Sequence, residues 1–372
     1  MRVLMATFDA GGNVPPFLEL GRELVARGDD VLCLGEASLR PRLNEAGITH
    51  CAIRDSTGYD PLERLPLADQ LNRTKGIMFC DGWAADLAAE ISRQDPDALV
   101  IDSFLFSAIA VAEKSGIPYT VLVHTLWSWM GQIGEHLLDL INECRQRAAL
   151  PVRSPTGIWE GAHRLLVTSS PILDVPAPAE LPNLRQVGPL FDDRPQDTDG
   201  SAEEPDSRPL VLVGFSTTFM AQEEALQRVI DALEGMPVRA LVTAGPAVDP
   251  SALRAPANVT VAKWARHSAV MPAASAVICH GGHGITSMAL AYGKPLLCLP
   301  QGRDQYYIAD RIGALGAGIS LTLRPRPETI SEALTSILGT DSYRVKAENI
   351  AVHMRSLGRG ARNAGAEVHA SC

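Results

Sequence analysis

Two glycine-rich turns, each directly after an apolar run, are the first places where this sequence could do chemistry. The later one is His280-Gly281-Gly282-His283-Gly284, between the strand-like Ala276-Val277-Ile278-Cys279 and a helix pattern from Ile285 to Tyr292. Glycine lets a backbone approach a ligand closely and adopt positive φ. A helix start offers unpaired amides to phosphate oxygens, and His280 adds a side-chain donor. The spacing is neither Gly-x-x-x-x-Gly-Lys-Ser/Thr nor Gly-x-Gly-x-x-Gly, which argues against a P-loop or a dinucleotide fingerprint. Alone, the turn supports an anion at a helix start or no ligand at all.

The earlier turn, Asp9-Ala10-Gly11-Gly12-Asn13-Val14-Pro15-Pro16, follows the apolar run Val3–Thr7. Two more polar residues end apolar runs in the same half: Asp102 after Ala98–Ile101 and His124 after Tyr119–Val123. Asp9, Asp102 and His124 could each take a proton from a hydroxyl. Asp102 could equally cap the helix pattern Ser107–Ser115, and His124 could be a structural histidine.

These residues need strands that deliver them to one edge of a sheet. Val3–Thr7, Val31–Gly35, Ala98–Ile101 and Tyr119–Val123 are apolar throughout, as in a parallel sheet buried on both faces. Helix patterns at Pro16–Arg27, Leu39–Ala46 and Ser107–Ser115 alternate with them, the first two stopped by Gly28 and Gly47. The pattern restarts at Leu210–Gly214 and continues through Ala240–Thr243, Val259–Ala262, Ala276–Cys279, Leu296–Leu299 and Ile319–Leu321. The β-α order implies doubly wound domains with right-handed crossovers. Residues 192–208 carry almost no apolar side chain and read as a linker. The expected organisation is an N-terminal α/β domain over 1–191, a C-terminal α/β domain over 209–341, and a helical region over 342–372 packing back toward the first domain. A ligand site is expected beyond the strand ends, in a cleft between the two domains.

Composition narrows the function. The 372 residues suit two domains. The net charge of −10 argues against a sequence-independent grip on nucleic acid. No apolar run approaches the ~20 residues of a membrane span, and the N-terminus lacks a signal-peptide layout. The seven cysteines include no Cys-x-x-Cys, so reduced, buried thiols in a cytoplasmic protein are expected.

The later turn does not stand alone. It is followed by Ala289-Leu290-Ala291-Tyr292-Gly293-Lys294-Pro295, then Pro300 and Asp304-Gln305. This series resembles the donor-binding signature of nucleotide-sugar glycosyltransferases of the GT-B fold, above all the bacterial enzymes that decorate macrolides, aromatic polyketides and glycopeptides. The likeness covers most of the C-terminal half in the right order. It implies two Rossmann-like domains facing across a cleft, with acceptor in the first and donor in the second. It implies a metal-independent, inverting transfer with no cofactor beyond a dTDP-sugar or UDP-sugar donor, and an apolar or aromatic small-molecule acceptor. A homodimer is compatible with it.

The resemblance assigns roles residue by residue. Trp264 would stack on the nucleobase, with a core Trp as the alternative. His280 and the amides of Gly282, His283, Gly284 and Ile285 would hold the diphosphate, with Gly281 shaping the turn. Asp304 and Gln305 would bind sugar hydroxyls. Ser216 and Thr217 would meet the phosphates unless they only cap a helix, and Gly12 is placed with the donor-binding set. Many members carry Glu at the position of Met288, where it binds ribose hydroxyls; Met288 cannot, which favours a deoxyribose donor.

Asn13 stands where the family places its catalytic His, and an amide cannot act as a base near neutral pH. Three readings stay open. Another side chain, His124, Asp102 or Asp9, takes the proton; the acceptor needs little help; or the chain binds donor without turnover, as a partner to another transferase. An epimerase on the same fold is a further rival. Leu126-Trp127-Ser128-Trp129-Met130 reads either as an apolar acceptor wall or as ordinary packing, and Tyr59–Trp83 is expected over the acceptor.

Overall fold

The computed structural model describes all residues except 55–57, 59, 156, 176–180, 193–206 and 323. Most of the expected linker over 192–208 therefore lies outside the described residues. The chain divides into two compact units, Met1–Leu190 with Leu357–Cys372, and Phe191–Ser356.

The first unit holds β1 (Arg2–Ala6), β2 (Asp30–Gly35), β3 (Thr49–Ala52), β4 (Ala98–Asp102), β5 (Tyr119–Val123), β6 (Arg164–Val167) and β7 (Leu184–Gln186). They form one sheet in the order β3-β2-β1-β4-β5-β6-β7, parallel at every pairing. The second unit holds β8 (Leu210–Gly214), β9 (Arg239–Thr243), β10 (Val259–Ala262), β11 (Ala274–Cys279), β12 (Leu296–Cys298) and β13 (Gly318–Ser320). Their order is β10-β9-β8-β11-β12-β13, again all parallel.

The apolar strands are buried on both faces, as their sequences require. Leu4 and Ala6 join Leu99, Ile101, Val121 and Val123 in one core. Their alternates Val3 and Met5 join Val100, Leu122 and Leu166 on the other face. Period-two alternation thus feeds both cores from the same strands. The helix Val14–Ala26 starts with Pro in its first turn, where a missing amide costs nothing. It lays Phe17, Leu20 and Leu24 on the second of these faces.

Strand order locates the sites. In the first sheet the order reverses at β1, between β2 and β4; in the second it reverses at β8, between β9 and β11. Ligands of open parallel sheets bind beyond the carboxyl ends at such reversals. The loops after β1 and β4, and after β8 and β11, are those that carry Asn13, Asp102, Ser216 and His280.

The C-terminal region is shared between the units. The helix Asp341–Ser356 packs on His283–Ala291 in the second unit. The last helix, Gly360–His369, lies on Val14–Ala26 and adds Ala364 and Val368 to the core beneath. Asp29 fastens it: His369 Nε2 lies 2.7 Å from one carboxylate oxygen, while the Met1 ammonium donates to the other at 2.9 Å.

That docking depends on one glycine. A Cβ on Gly360 would lie 2.4 Å from the Pro189 carbonyl oxygen and 2.8 Å from that of Gly188, and backbone cannot yield cheaply. A Cβ on Gly365 would meet the Arg27 side chain at 2.9 Å, which can swing aside. Gly360→Ala is expected to destabilise the protein by about 1–3 kcal/mol, and Gly365→Ala by no more than about 0.5 kcal/mol. Thermal denaturation of the two variants checks this, and equal shifts would refute it.

Candidate active site

The turn after β11 is shaped by its glycines. Gly281 has φ of 79°, and a Cβ there would sit 2.9 Å from the Gln305 carbonyl oxygen. Gly282 is extended and caps the helix His283–Ala291. A Cβ on Gly282 would lie 2.4 Å from His280 Nε2, so the glycine makes room for the imidazole. The first amide with an intrahelical partner is that of Thr286, which donates to the Gly282 carbonyl at 3.1 Å. The amides of Gly284 and Ile285 precede it in the first turn, where helix geometry supplies no carbonyl one turn back.

His280 stacks on Phe215, with ring centroids 6.0 Å apart and planes 27° apart. Burial pushes its pKa down to about 4; a hydrogen bond to the Gly214 backbone opposes this in part, and the Arg303 charge adds to it. The ring is therefore neutral at pH 7. Its Nδ1 is buried with no partner in the protein, the kind of orphan a ligand resolves. The His283 side chain is buried, with Nε2 3.4 Å from Ser287 Oγ one turn on. Gly284 is exposed, and a Cβ there would meet nothing within 4 Å.

Trp264 follows β10 and is 70% exposed, which rules out the core alternative. Ser216 is buried; its Oγ lies 2.9 Å from Thr218 Oγ1 and accepts the Thr218 amide at 3.1 Å. Thr217 is exposed. Neither caps the next helix, Glu223–Leu233, whose N-cap is Gln222. The Asp304-Gln305 pair divides. Asp304 sits half-buried at the N-cap of Gln305–Ala314. Gln305 is buried, accepts the Gln301 amide at 2.8 Å and lies 3.2 Å from Met220 Sδ. Its side chain braces the loop. Arg303, which the motif reading passed over, is exposed and donates from Nη1 to Thr218 Oγ1 at 3.3 Å.

In the first unit, Asp102 is fully buried at the end of β4. Its Oδ2 accepts from Thr7 Oγ1 at 2.8 Å and Asn13 Nδ2 at 2.9 Å. Its Oδ1 accepts the Phe104 amide at 3.0 Å and lies 3.1 Å from His124 Nε2. Burial is the largest single influence on Asp102 and opposes its charge. His124, Asn13 and the Phe104 amide together outweigh it, so the carboxyl is held below the ordinary carboxylate range. The following helix starts at Phe106 with Leu105 as its N-cap, so capping does not explain Asp102.

Asn13 is also committed. Its Nδ2 lies 2.7 Å from the Phe8 carbonyl oxygen, and its Oδ1 accepts the Ala10 amide at 3.1 Å. Asp9 is brought elsewhere: its carboxylate takes Ser38 Oγ at 3.0 Å and pairs with Arg42. Gly12 is exposed at the tip of the turn. Glu36, which sequence reading missed, accepts the Asp9 amide at 3.0 Å, and burial raises its pKa to about 7. Only the geometry of this buried loop marks it.

The aromatic stretch after His124 also divides. Trp127 and Met130 are core residues, and Trp127 packs edge-on to Trp159. Trp129 is half-buried beside Phe104, which in turn lies against His124 with ring centroids 5.2 Å apart. The segment expected over the acceptor is partly core as well: Ile77, Met78 and Trp83 are buried in the first unit, while Tyr59 lies outside the described residues. Among the described residues, no cluster of His, Cys, Asp or Glu could hold a metal ion, and no helix is long and apolar enough to cross a membrane.

Known proteins share this arrangement. Residues 227–363 match the family described as Erythromycin biosynthesis protein CIII-like, C-terminal domain. A 4'-demethylrebeccamycin synthase from Lentzea aerocolonigenes is 26% identical, over 94% of this chain and 94% of its own length. The NDP-glycosyltransferase YjiC of Bacillus subtilis (strain 168) is 24% identical, over 99% of this chain and 96% of its own. The crystal structure of the glycosyltransferase VinC in complex with dTDP superposes with a TM-score of 0.79 at 20% identity, over 100% of this chain and 99% of that one, and shares the fold. This chain is a GT-B fold, nucleotide-sugar-dependent glycosyltransferase related to the bacterial natural-product glycosyltransferases.

Proposed function

We propose that the chain transfers a sugar, with inversion, from a dTDP-sugar to a hydroxyl of an apolar or aromatic natural product. The second unit takes the donor and the first takes the acceptor. The observation that carries the reading is the Asp102 network, which places one imidazole, His124, on a buried carboxylate. His124 takes the proton of the acceptor hydroxyl as its oxygen attacks the anomeric carbon. The bond from that carbon to the diphosphate oxygen breaks, and its electron pair leaves with the nucleoside diphosphate. The amides of His283, Gly284 and Ile285, together with His280, receive the diphosphate. Asn13 acts as a positioning residue that fixes Asp102. Trp129 and Phe104 offer an apolar face beside His124. The buried thiols of Cys33, Cys279 and Cys298 fit a cytoplasmic enzyme.

His124→Ala is expected to lower kcat by roughly 10²–10⁴ while dTDP affinity stays unchanged; Asp9→Ala should leave kcat near wild type. If His124→Ala keeps near-full rate, the base assignment fails. Consumption of nucleotide-sugar by the purified chain with acceptor separates this reading from a non-catalytic partner role.

The nucleotide preference rests on Met288, half-buried on the helix that follows the turn, and is supported by VinC, which was solved with dTDP. Calorimetry should find dTDP bound at least as tightly as UDP. Met288→Glu should improve UDP binding by roughly two- to ten-fold, the net value of one hydrogen bond. A clear preference of the wild type for UDP would sink this point.

A further inference from the structure

The loop after β12 brings a cation to the donor turn. Arg303 has φ of 58° and follows Gly302, whose φ is 153°. A long side chain rarely adopts that left-handed backbone, and it persists where surrounding structure enforces it, often at a functional site. Nη1 of Arg303 donates to Thr218 Oγ1 at 3.3 Å, and Thr218 Oγ1 lies 2.9 Å from Ser216 Oγ. Arg303 is thereby tied to the loop after β8. Since β11 lies between β8 and β12 in the sheet, the two loops joined by Arg303 flank the His280 turn. The Arg303 charge acts on His280 directly, reinforcing the depression that burial causes.

Charge bookkeeping shows what the turn lacks. His280 is neutral at pH 7, so it supplies a polar contact and no net charge. The helix start is worth roughly half a positive charge. A departing nucleoside diphosphate carries more negative charge than that. Arg303 is exposed, permanently charged, and presents a planar fork of donors suited to phosphate oxygens.

We propose that Arg303 binds the diphosphate oxygens of the donor and offsets the charge that grows on them as the sugar departs. This rests on the nucleotide-sugar reading above. Arg303 transfers no proton: the electron pair of the broken bond stays on the diphosphate oxygen, and the guanidinium keeps its charge. Arg303 combines a left-handed backbone with a contact to Thr218 Oγ1 on the neighbouring loop.

The test compares dTDP, dTMP and thymidine by calorimetry on the full chain, together with kcat, for Arg303→Gln, Arg303→Lys and Arg303→Gly. Arg303→Gln should weaken dTDP binding by roughly ten- to hundred-fold and dTMP less. Thymidine should change by less than about two-fold. The kcat should fall with dTDP affinity, and Arg303→Lys should restore part of both. Arg303→Gly relieves the left-handed strain, so its Tm should match or exceed wild type while dTDP affinity still falls; a bracing role predicts the reverse. Arg303→Gln binding dTDP as wild type does, or losing thymidine as much as dTDP, overturns the proposal alone. A wild-type chain that binds neither dTDP nor UDP overturns the proposal and the donor reading together.

Discussion

Asp102 puts a carboxylate where water cannot reach it, and an unmatched charge there would cost on the order of several kcal/mol. The protein meets that demand with Thr7, Asn13, the Phe104 amide and His124. These partners come from beyond β1, from the loop after β4, and from beyond β5. The register of three strands is thus tied to one pair of oxygens. An amide at position 13 carries no charge at any pH, so it holds the carboxylate without adding a second ionic partner.

In the second unit, burial holds His280 well below the ordinary imidazole range. Oriented amides supply positive field without a desolvation cost, because their dipoles are already fixed by the helix. Gly281 and Gly282 make this possible by letting the loop after β12 and the His280 ring approach the backbone.

Much of this was legible in sequence. Wholly apolar runs such as Tyr119–Val123 became strands with the same bounds, because burial on both faces leaves no other reading. The short β3, β6 and β7 were not legible, since Thr49-His50-Cys51-Ala52, Arg164-Leu165-Leu166-Val167 and Leu184-Arg185-Gln186 mix polar residues into runs of only three or four. The glycine turn stood out by composition, and Trp264 was singled out only by the family resemblance. Arg303 and Glu36 were missed because their chemistry depends on a backbone angle and on neighbours distant in sequence. The contact of Gln305 with the Gln301 amide was not legible either, because a motif records residue type and not the partner a side chain takes. Trp127 and Trp129 read alike in sequence, and helix rotation alone sends one into the core.

The last helix gives the chain an unusual accounting of parts. Residues 191–356 form one unit, and the residues on both sides of them form the other. In modular terms the second unit is an insertion in the first, bounded by two junctions. A chimera joined at the first junction alone would pair a foreign final helix with the native helix Val14–Ala26. Exchange of the second unit therefore keeps the native helix pair only with two breaks, one near Leu190 and a second near Leu357.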